Sequence, residues 1–232
     1  MKQVHTAITI ILMSLNGLAQ PEGRPGNWTG FNSRITLEDH WAIFVQGEYR
    51  TWEFLANTNE LLWRLSGQYS WKNQMVAAGY VRVDTWPYTG ESFRKFYENR
   101  FYQEYFFKLK LGHALNDHRF RLEQRWLSYP EEGTHLSHRI RYNIGFTMPV
   151  RRADVETRFF LRVFNEVFMD LDKFDYWFNR EGDKAGLNQI RLYGGLGYKF
   201  KRPSSFQAGF LWQHRPTSDF WRIVLSYTHN FE

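Results

Sequence analysis

Hydrophobic and polar residues alternate along most of the chain from Asn27 onward. The stretch RFRLEQRWL, residues 119–127, places Arg119, Arg121 and Glu123 on alternate positions with apolar residues between them. Successive side chains of a strand point to opposite faces, so such a strand has one charged face and one largely apolar face. The alternation predicts eleven strands, at residues 28–37, 41–52, 61–71, 75–86, 100–111, 118–128, 135–148, 155–169, 187–200, 205–215 and 219–231.

Most of these strands are longer than the roughly five or six residues common in globular proteins. Membrane-spanning strands need about nine to eleven residues. Short polar connections such as EDH (38–40) and KNQ (72–74) alternate with generally longer ones such as EFLANTNE (53–60) and PYTGESFRKFYEN (87–99). The pattern predicts an all-β fold, a transmembrane antiparallel up-and-down β-barrel.

The number of strands presents a difficulty, because single-chain bacterial barrels have even strand numbers. We therefore expect ten to twelve strands. Either segment 28–37 threads the lumen, or the wall contains one further strand that these eleven segments do not show separately.

Alternation alone does not say which face lies inside the barrel. A soluble barrel of the lipocalin type has its apolar face inside, whereas a membrane barrel has it outside. The apolar faces are broad and rich in aromatic residues, which favours the membrane arrangement; they include Phe101, Tyr105, Phe107, Leu109 and Leu111 in one strand and Leu136, Ile140, Tyr142, Ile144 and Phe146 in another. Tryptophans near predicted strand ends also favour it, since interfacial girdles lie there; they are Trp41, Trp63, Trp71, Trp86, Trp126 and Trp221.

Composition supports the same arrangement. Arginine outnumbers lysine by 21 to 9, and a confined polar surface favours the planar guanidinium over the ammonium group. The chain has no cysteine, which excludes a disulfide framework and a thiolate metal site.

The first twenty residues, MKQVHTAITIILMSLNGLAQ, have the plan of a cleaved secretory signal. Lys2 precedes an apolar run from Ala7 to Leu15, which is too short to span a bilayer, and small residues follow at Gly17 and Ala19. A short buried helix is the alternative. We expect residues 1–20 to be removed, and residues 21–232 to form the barrel in the outer membrane of a Gram-negative bacterium.

The C-terminal stretch WRIVLSYTHNFE places Trp221, Tyr227 and Phe231 on one apolar face. It resembles the terminal signal recognised by the outer-membrane barrel assembly machinery, in which an aromatic residue ends the last strand. Glu232 after Phe231 departs from the commonest form. We expect the strand that ends at Phe231 to bind that machinery.

A longer resemblance rests on WTGFNSRITLEDHWAIFVQGEYR, followed by YENRFYQEYFF, RFRLEQRW, HRIRYNIGF, RFFLRVFNEVF and NQIRLYGGLGYKF. In this order, these stretches resemble the bacterial outer-membrane family filed as domain of unknown function 2490. The resemblance covers nearly all of the chain after the signal. It implies an outer-membrane barrel and brings no known activity.

The alternation also predicts which charged residues face the lumen. Sixteen cations point inward: Arg34, Arg50, Arg64, Arg82, Lys108, Lys110, Arg119, Arg121, Arg125, Arg139, Arg141, Arg158, Arg162, Arg191, Lys199 and Arg222. Six acids accompany them: Glu48, Asp84, Glu104, Glu123, Glu156 and Glu166. Two interpretations follow. The side chains fill and close a small barrel, or the surplus cations line a path for anions.

An enzyme is the alternative from another functional class. In HLSH, His135 and Ser137 share one face and could supply a base and a nucleophile, as in an outer-membrane lipid-modifying hydrolase. The motif resembles that of the lipid A deacylases, but here the pair faces inward with Arg139 and Arg141. We therefore expect no enzyme and no cofactor.

The stretch DLDKFDYWF could act in two ways. Its acids Asp170, Asp172 and Asp175 could bind calcium, although a solvated acidic loop is favoured and we expect no metal. Its aromatic residues either contact a partner, sugar or lipid, or pack onto the barrel rim; they are Phe174, Tyr176, Trp177 and Phe178.

Nucleic-acid binding is excluded, because the basic residues are spread over alternate strand positions rather than gathered on one outer stripe. The expected partners are outer-membrane lipid and small anionic solutes. The sequence thus predicts a monomeric barrel that is a narrow, porin-like passive channel or a structural membrane protein, with a basic, anion-favouring lumen.

Overall fold

The computed structural model describes residues 25–86, 95–130, 132–152, 155–172, 185–201, 203–216 and 218–231, apart from the side chains of residues 151–156. Within these ranges eleven strands form one closed barrel. No helix there is long and apolar enough to cross a membrane. The strands are β1 (Gly26–Thr36), β2 (Trp41–Glu53), β3 (Ala56–Trp71), β4 (Gln74–Thr85), β5 (Phe96–Leu111), β6 (Ala114–Tyr129), β7 (Gly133–Arg152), β8 (Val155–Asp170), β9 (Gly186–Lys199), β10 (Ser204–Arg215) and β11 (Ser218–Phe231).

Each strand pairs antiparallel with the next, and the barrel closes where β1 pairs with β11 in parallel. The parallel register runs from Gly26 opposite Arg222 to Ile35 opposite Phe231. In an up-and-down meander with an odd number of strands, the first and last strands run in the same direction, so their pairing must be parallel. The predicted all-β barrel is confirmed. Segment 28–37 lies in the wall as β1 and does not thread the lumen.

The two ends of the barrel differ in their connections. One end, called the short-turn end here, carries tight turns such as Lys72–Asn73, where Lys72 has a positive φ of 51°. The other, called the loop end, carries the connections over 86–95 and 171–185. EFLANTNE also lies at the loop end, but the expectation of a longer loop there is wrong, because only Phe54 and Leu55 separate β2 from β3.

Burial is the reverse of that in a soluble protein. Among the described residues, 26 polar or charged residues are buried against 11 hydrophobic ones. Large apolar side chains are exposed on the outer surface, for example Phe210 at 61% and Phe101 at 51%. The barrel therefore has a polar interior and an apolar exterior.

Aromatic side chains cluster on the outer face near each end. At the short-turn end the ring centroids of Trp41 and Tyr69 lie 4.9 Å apart, and Tyr69 contacts Trp71 at 5.9 Å. Towards the loop end, Phe101 contacts Tyr80 at 5.3 Å and Trp126 at 5.6 Å. Trp63 differs from expectation and lies in the middle of its strand, because β3 begins at Ala56.

An arginine-lined lumen as the candidate functional site

The interior contains a cavity of about 720 Å³. Twelve arginines line it, against five carboxylates. The arginines are Arg50, Arg64, Arg100, Arg119, Arg121, Arg125, Arg139, Arg141, Arg162, Arg191, Arg215 and Arg222; the carboxylates are Glu48, Glu60, Glu98, Asp117 and Glu166. Side chains thus occupy much of the bore without filling it.

The inner face of β5 to β8, called the braced wall here, is cross-linked by shared carboxylates. Glu123 accepts hydrogen bonds from Nη2 of Arg139 at 2.5 Å and Nη1 of Arg141 at 2.8 Å. Glu166 accepts from Nη2 of Arg141 at 2.6 Å and Nη2 of Arg119 at 2.5 Å. Glu123 thus joins β6 to β7, and Glu166 joins β8 to both β6 and β7, so these pairs tie the wall together across its backbone ladder.

The same arrangement continues towards both ends of the braced wall. Glu104 accepts from Nε of Arg121 at 2.7 Å. Nearer the loop end, Nη2 of Arg100 donates to Glu98 at 2.8 Å, and Arg125 also binds this carboxylate. Several of these groups are less than 9% exposed, and buried charges need such partners to offset their lost hydration.

A glycine makes room for one of these contacts. Nη2 of Arg162 reaches Asp117 at 2.9 Å by passing over Gly145. A Cβ atom on Gly145 would lie 2.4 Å from that guanidinium nitrogen. The absence of a side chain at this position therefore allows the ion pair to cross β7.

A smaller network lies on β2 and β3. Nε of Arg50 donates to Glu48 at 2.9 Å, and Arg50 also binds Glu60. The guanidinium carbon of Arg50 lies 4.0 Å from the ring centre of Trp28, and that of Arg191 lies 4.7 Å from it. Trp28 thus contacts two cations on the inner surface.

The inner face of β9, β10, β11 and β1 is different, and we call it the acid-free wall. None of its described inward side chains is acidic. Its cations include Arg191, Arg215 and Arg222, and most of the remaining positions carry amides, hydroxyls, glycine or apolar groups. Arg191 borders the braced wall, where its Nη1 lies 3.6 Å from Glu166.

Arg222 on β11 is 4% exposed and donates from Nη1 to the backbone oxygen of Thr51. Its Nε has no hydrogen-bond partner among the described residues. Within the same ranges, no carboxylate oxygen lies within 4.0 Å of its guanidinium nitrogens. Its guanidinium carbon lies 5.6 Å from the ring of Trp52 and 5.5 Å from that of Phe220. Arg222 is therefore a buried cation held by aromatic rings and a backbone carbonyl rather than by an acid.

Comparison with known proteins gives one match. The family model described as Protein of unknown function (DUF2490) matches residues 25–224, which include every strand from β1 to β10 and the first half of β11. The chain belongs to the DUF2490 family. No curated protein and no solved structure matches it. Family membership brings no activity, so the role of this DUF2490 barrel has to be argued from its lumen.

Most of the predicted lumen residues of the DUF2490 chain point into the barrel. The inward set comprises Arg50, Arg64, Arg119, Arg121, Arg125, Arg139, Arg141, Arg162, Arg191, Arg222, Glu48, Glu104, Glu123 and Glu166. Arg34 donates from Nε to Gln68 at 3.1 Å. Lys108, Lys110 and Lys199 are exposed at the short-turn end, and so is Arg158, which precedes the part of β8 that pairs with β9.

Arg82 and Asp84 are placed on the opposite face from the one predicted. Their cross-strand neighbours are Trp63 and Tyr97, which face outward, whereas Val81 and Val83 point inward. Arg82 donates to Asp84 at 3.1 Å, close to the loop end of β4. The predicted alternation of β4 is present, but its two faces are exchanged, because this charged pair lies on the outer face near the strand end.

Other predicted residues fall outside the described part of the chain. These are residues 1–20 of the expected signal, Phe174, Tyr176, Trp177 and Phe178 of the aromatic segment, Asp175 of the possible calcium site, and the side chain of Glu156. Phe231 lies at the end of β11, 50% exposed, with its ring centre 4.3 Å from that of His229. Its recognition by the assembly machinery stays a prediction.

Sequence reasoning missed Glu60, Glu98, Arg100, Asp117 and Arg215, all of which line the cavity. Glu60, Glu98 and Asp117 fell in segments assigned to connections, and Arg100 began a predicted strand. A usable signal was the alternation itself. It continues through YENR, so β5 could have been extended back to Phe96.

The His135 and Ser137 pair shows no catalytic arrangement among the described residues. Ser137 is completely buried inside the barrel, next to Arg125 on the neighbouring strand. Its hydroxyl has no hydrogen-bond partner in the described ranges, so no described base activates it. In those ranges, no three His, Cys, Asp or Glu side chains form a group that could hold a metal ion.

Asp172 fastens the chain after β8 to β7 at the loop end. Its carboxylate accepts hydrogen bonds from the backbone amide and the ring Nδ1 of His138, the latter at 2.9 Å. Burial by itself raises the pKa of Asp172, but the hydrogen bonds from His138 outweigh it and lower the pKa below its ordinary value.

Proposed function

We propose that this DUF2490 chain is an outer-membrane barrel of a Gram-negative bacterium that provides a narrow passive route for small anions. The observation that carries the proposal is the reversed burial of the barrel. Charged side chains are buried inside, while large apolar side chains are exposed around the outside. A closed barrel of this kind leaves no sheet edge unpaired in a bilayer.

The outer surface supports insertion into a membrane rather than a soluble state. Its exposed residues include long aliphatic and aromatic side chains on every side of the barrel, which water would solvate poorly. The aromatic clusters near the two ends match the girdles that membrane barrels place at the lipid headgroups.

The lining supports a preference for anions. Twelve arginines line the cavity, against five carboxylates in the lining and three further buried acids that bind some of these arginines, Glu104, Glu123 and Asp170. The braced wall neutralises part of this charge through its ion pairs, but the acid-free wall has no described acid of its own. Rings and stripes of unneutralised cations select anions in pores.

The bore is small. Eight strands leave room for little more than side chains, and sixteen leave an aqueous channel, so eleven strands lie between these limits. A cavity of about 720 Å³ suits solutes of the size of small organic anions.

Planar-bilayer recording tests the conduction. The mature chain, residues 21–232, is folded in detergent and reconstituted, and the reversal potential is read across a potassium chloride gradient. We expect resolved current steps with a reversal potential displaced towards that of chloride. A barrel whose electrophoretic mobility shifts on heating is folded. If such a barrel passes no current, or passes a cation-selective current, the proposed anion channel is contradicted.

Fractionation tests the location. The full chain is expressed in a Gram-negative host beside a variant that lacks residues 1–20 and a variant with Phe231→Ala. We expect the full chain in the outer membrane without its signal. The first variant should remain inside the cell, and the second should assemble less efficiently. A full chain recovered in soluble form contradicts the proposal.

A further inference from the structure

We propose that the seam between β11 and β1 holds a binding site for a carboxylate attached to a flat ring. The site, called the seam site here, consists of Trp52, Arg215, Phe220 and Arg222 around the inner surface near the loop end. It deepens the proposed anion route by naming the solute class, and in that respect it rests on the proposed function.

The four side chains form one contiguous group. The rings of Trp52 and Phe220 lie 6.3 Å apart and are tilted by 53°. The guanidinium carbon of Arg222 lies about equally far from the two rings, at 5.6 and 5.5 Å, and that of Arg215 lies 5.7 Å from Phe220. All four side chains line the cavity.

Arg222 supplies the anion-binding group. Its guanidinium is buried, donates one hydrogen bond to the carbonyl of Thr51, and has an Nε without a partner in the described ranges. A guanidinium presents paired N–H groups that match the two oxygens of a carboxylate. Among the described acids, Glu60 attracts Arg222 electrostatically, but Glu60 is already bound to Arg50. A carboxylate from solution would therefore give the Arg222 cation the acidic partner that the described wall lacks.

The aromatic residues supply the second half of the recognition. Trp52 and Phe220 present ring surface to the cavity beside the cation. A flat ring stacks on such surfaces in offset or edge-on geometry, which a small inorganic anion cannot do. Arg215 adds a second cation at the same place. The site thus fits a ring-bearing carboxylate better than chloride, acetate or a neutral ring.

Gly26 on β1 gives Arg222 its position. A Cβ atom on Gly26 would lie 2.3 Å from Nη1 of Arg222 and 2.5 Å from the oxygen of Thr51. The parallel register sets Gly26 directly opposite Arg222. Gly30 lies on the same face of β1, but a Cβ there would meet its nearest neighbour at an ordinary 3.7 Å. The two glycines provide a matched pair of substitutions.

Binding is measured by isothermal titration calorimetry on the folded full-length mature barrel in detergent. Benzoate is the main probe, and glucuronate tests a carboxylate on a saturated ring. Acetate has the carboxylate without a ring, and benzamide has the flat ring without a carboxylate. We expect benzoate to bind at least about tenfold more tightly than glucuronate, acetate and benzamide. Glucuronate binding as tightly as benzoate would contradict the preference for a flat ring. Equal affinity for acetate and benzoate overturns the site.

Variants locate the binding. Arg222→Gln and Gly26→Ala should each weaken benzoate binding by about tenfold or more. Gly30→Ala should change it less than about twofold. Arg100→Gln removes the same charge from the braced wall, where Arg125 still holds Glu98, and should also leave benzoate affinity within about twofold. An equal loss in Arg100→Gln and Arg222→Gln would show that only the total charge of the lumen acts, and would overturn the site.

Current recordings separate this inference from the channel itself. In the wild-type barrel, benzoate should reduce the chloride current, and Gly26→Ala should relieve the block. Benzoate binding in a barrel that carries no current supports the seam site and contradicts the channel. A chloride current that benzoate and acetate affect alike supports the channel and contradicts the seam site.

Discussion

The braced wall and the acid-free wall enclose the same cavity but are built by different means. On the braced wall, carboxylates such as Glu123 and Glu166 are each shared by two or more arginines. On the acid-free wall, the interior is covered by amides, hydroxyls, small residues and a few apolar groups, and Arg222 has a backbone carbonyl in place of an acid.

This difference separates two uses of arginine. A guanidinium enclosed by carboxylates holds strands together, and these carboxylates largely neutralise its charge. A guanidinium without an acid leaves its charge for an incoming solute. The number of arginines in the lumen therefore says less about selectivity than their pairing does.

The largest expected effect comes from removing a shared carboxylate. Glu123→Gln removes the buried carboxylate that Arg139 and Arg141 share and should destabilise the barrel by about 3–5 kcal/mol. Urea unfolding in lipid vesicles, followed by tryptophan fluorescence, measures the change. Gln207→Ala on the acid-free wall should cost no more than about 1 kcal/mol. Similar losses in the two variants would mean that the braced wall is not specially held by its ion pairs.

Adding one methyl group sharpens the comparison. Gly145→Ala should displace Arg162 from Asp117 and cost about 1–3 kcal/mol. Gly30→Ala on the acid-free wall meets only an ordinary contact at 3.7 Å and should be close to neutral. The same urea titration compares them. An unaffected Gly145→Ala barrel would show that Arg162 can take another path.

A new acid should act differently on the two walls. Gln207→Glu places a carboxylate on the acid-free wall and should lower the chloride-to-potassium permeability ratio about fivefold, because that wall has no described acid of its own. Asn143→Asp places a carboxylate on the braced wall opposite Arg119, which should neutralise it. The permeability ratio should therefore change by less than about twofold. Reversal potentials in a salt gradient give both ratios. Equal effects would mean that the lumen responds only to its total charge.

The smallest effect lies outside the lumen, at the loop end. Because the pKa of Asp172 is lowered in the folded state, its ionised form stabilises the fold above its usual pKa of 3.8. That stabilisation is lost as the pH falls through the lowered value. Asp172→Asn should lower the melting temperature at pH 7 by at most about 3 °C, since the contact is partly exposed. The difference should vanish in strong acid, and a difference that persists there would assign the effect to something other than ionisation.

The sequence pattern was sufficient to predict the fold, because side chains in a strand alternate between the two faces every second residue, and this chain alternates polar and apolar residues with the same repeat. All eleven predicted strands overlap observed ones, although β3 begins at Ala56 rather than at residue 61 and β5 at Phe96 rather than at residue 100. The stretch around Arg121 has the predicted orientation. The parallel closure of the barrel was not evident, because alternation gives the two faces of each strand but not the partner of the first one.

The lumen was harder to predict than the wall. Alternation gives two faces without saying which is inner, and in β4 the exposed cross-strand neighbours Trp63 and Tyr97 show that Arg82 faces outward. The sequence did not show which arginine binds which carboxylate. The distinction between Arg139, which is bound to Glu123, and Arg222, which has no described acid, depends on residues that lie far apart along the chain.

The parallel seam also determines the order in which the barrel can be completed. Every other strand pairs with its immediate neighbour in the sequence, so ten hairpin contacts can form locally. The seam instead joins the two ends of the chain; its Asn32–Ser226 hydrogen bond spans 194 residues. Contacts of such high sequence separation form slowly, because the whole intervening chain must first be ordered. Until the seam closes, β1 and β11 are two open sheet edges that can pair with other chains. Protection of the nascent protein against aggregation therefore depends on its last strand.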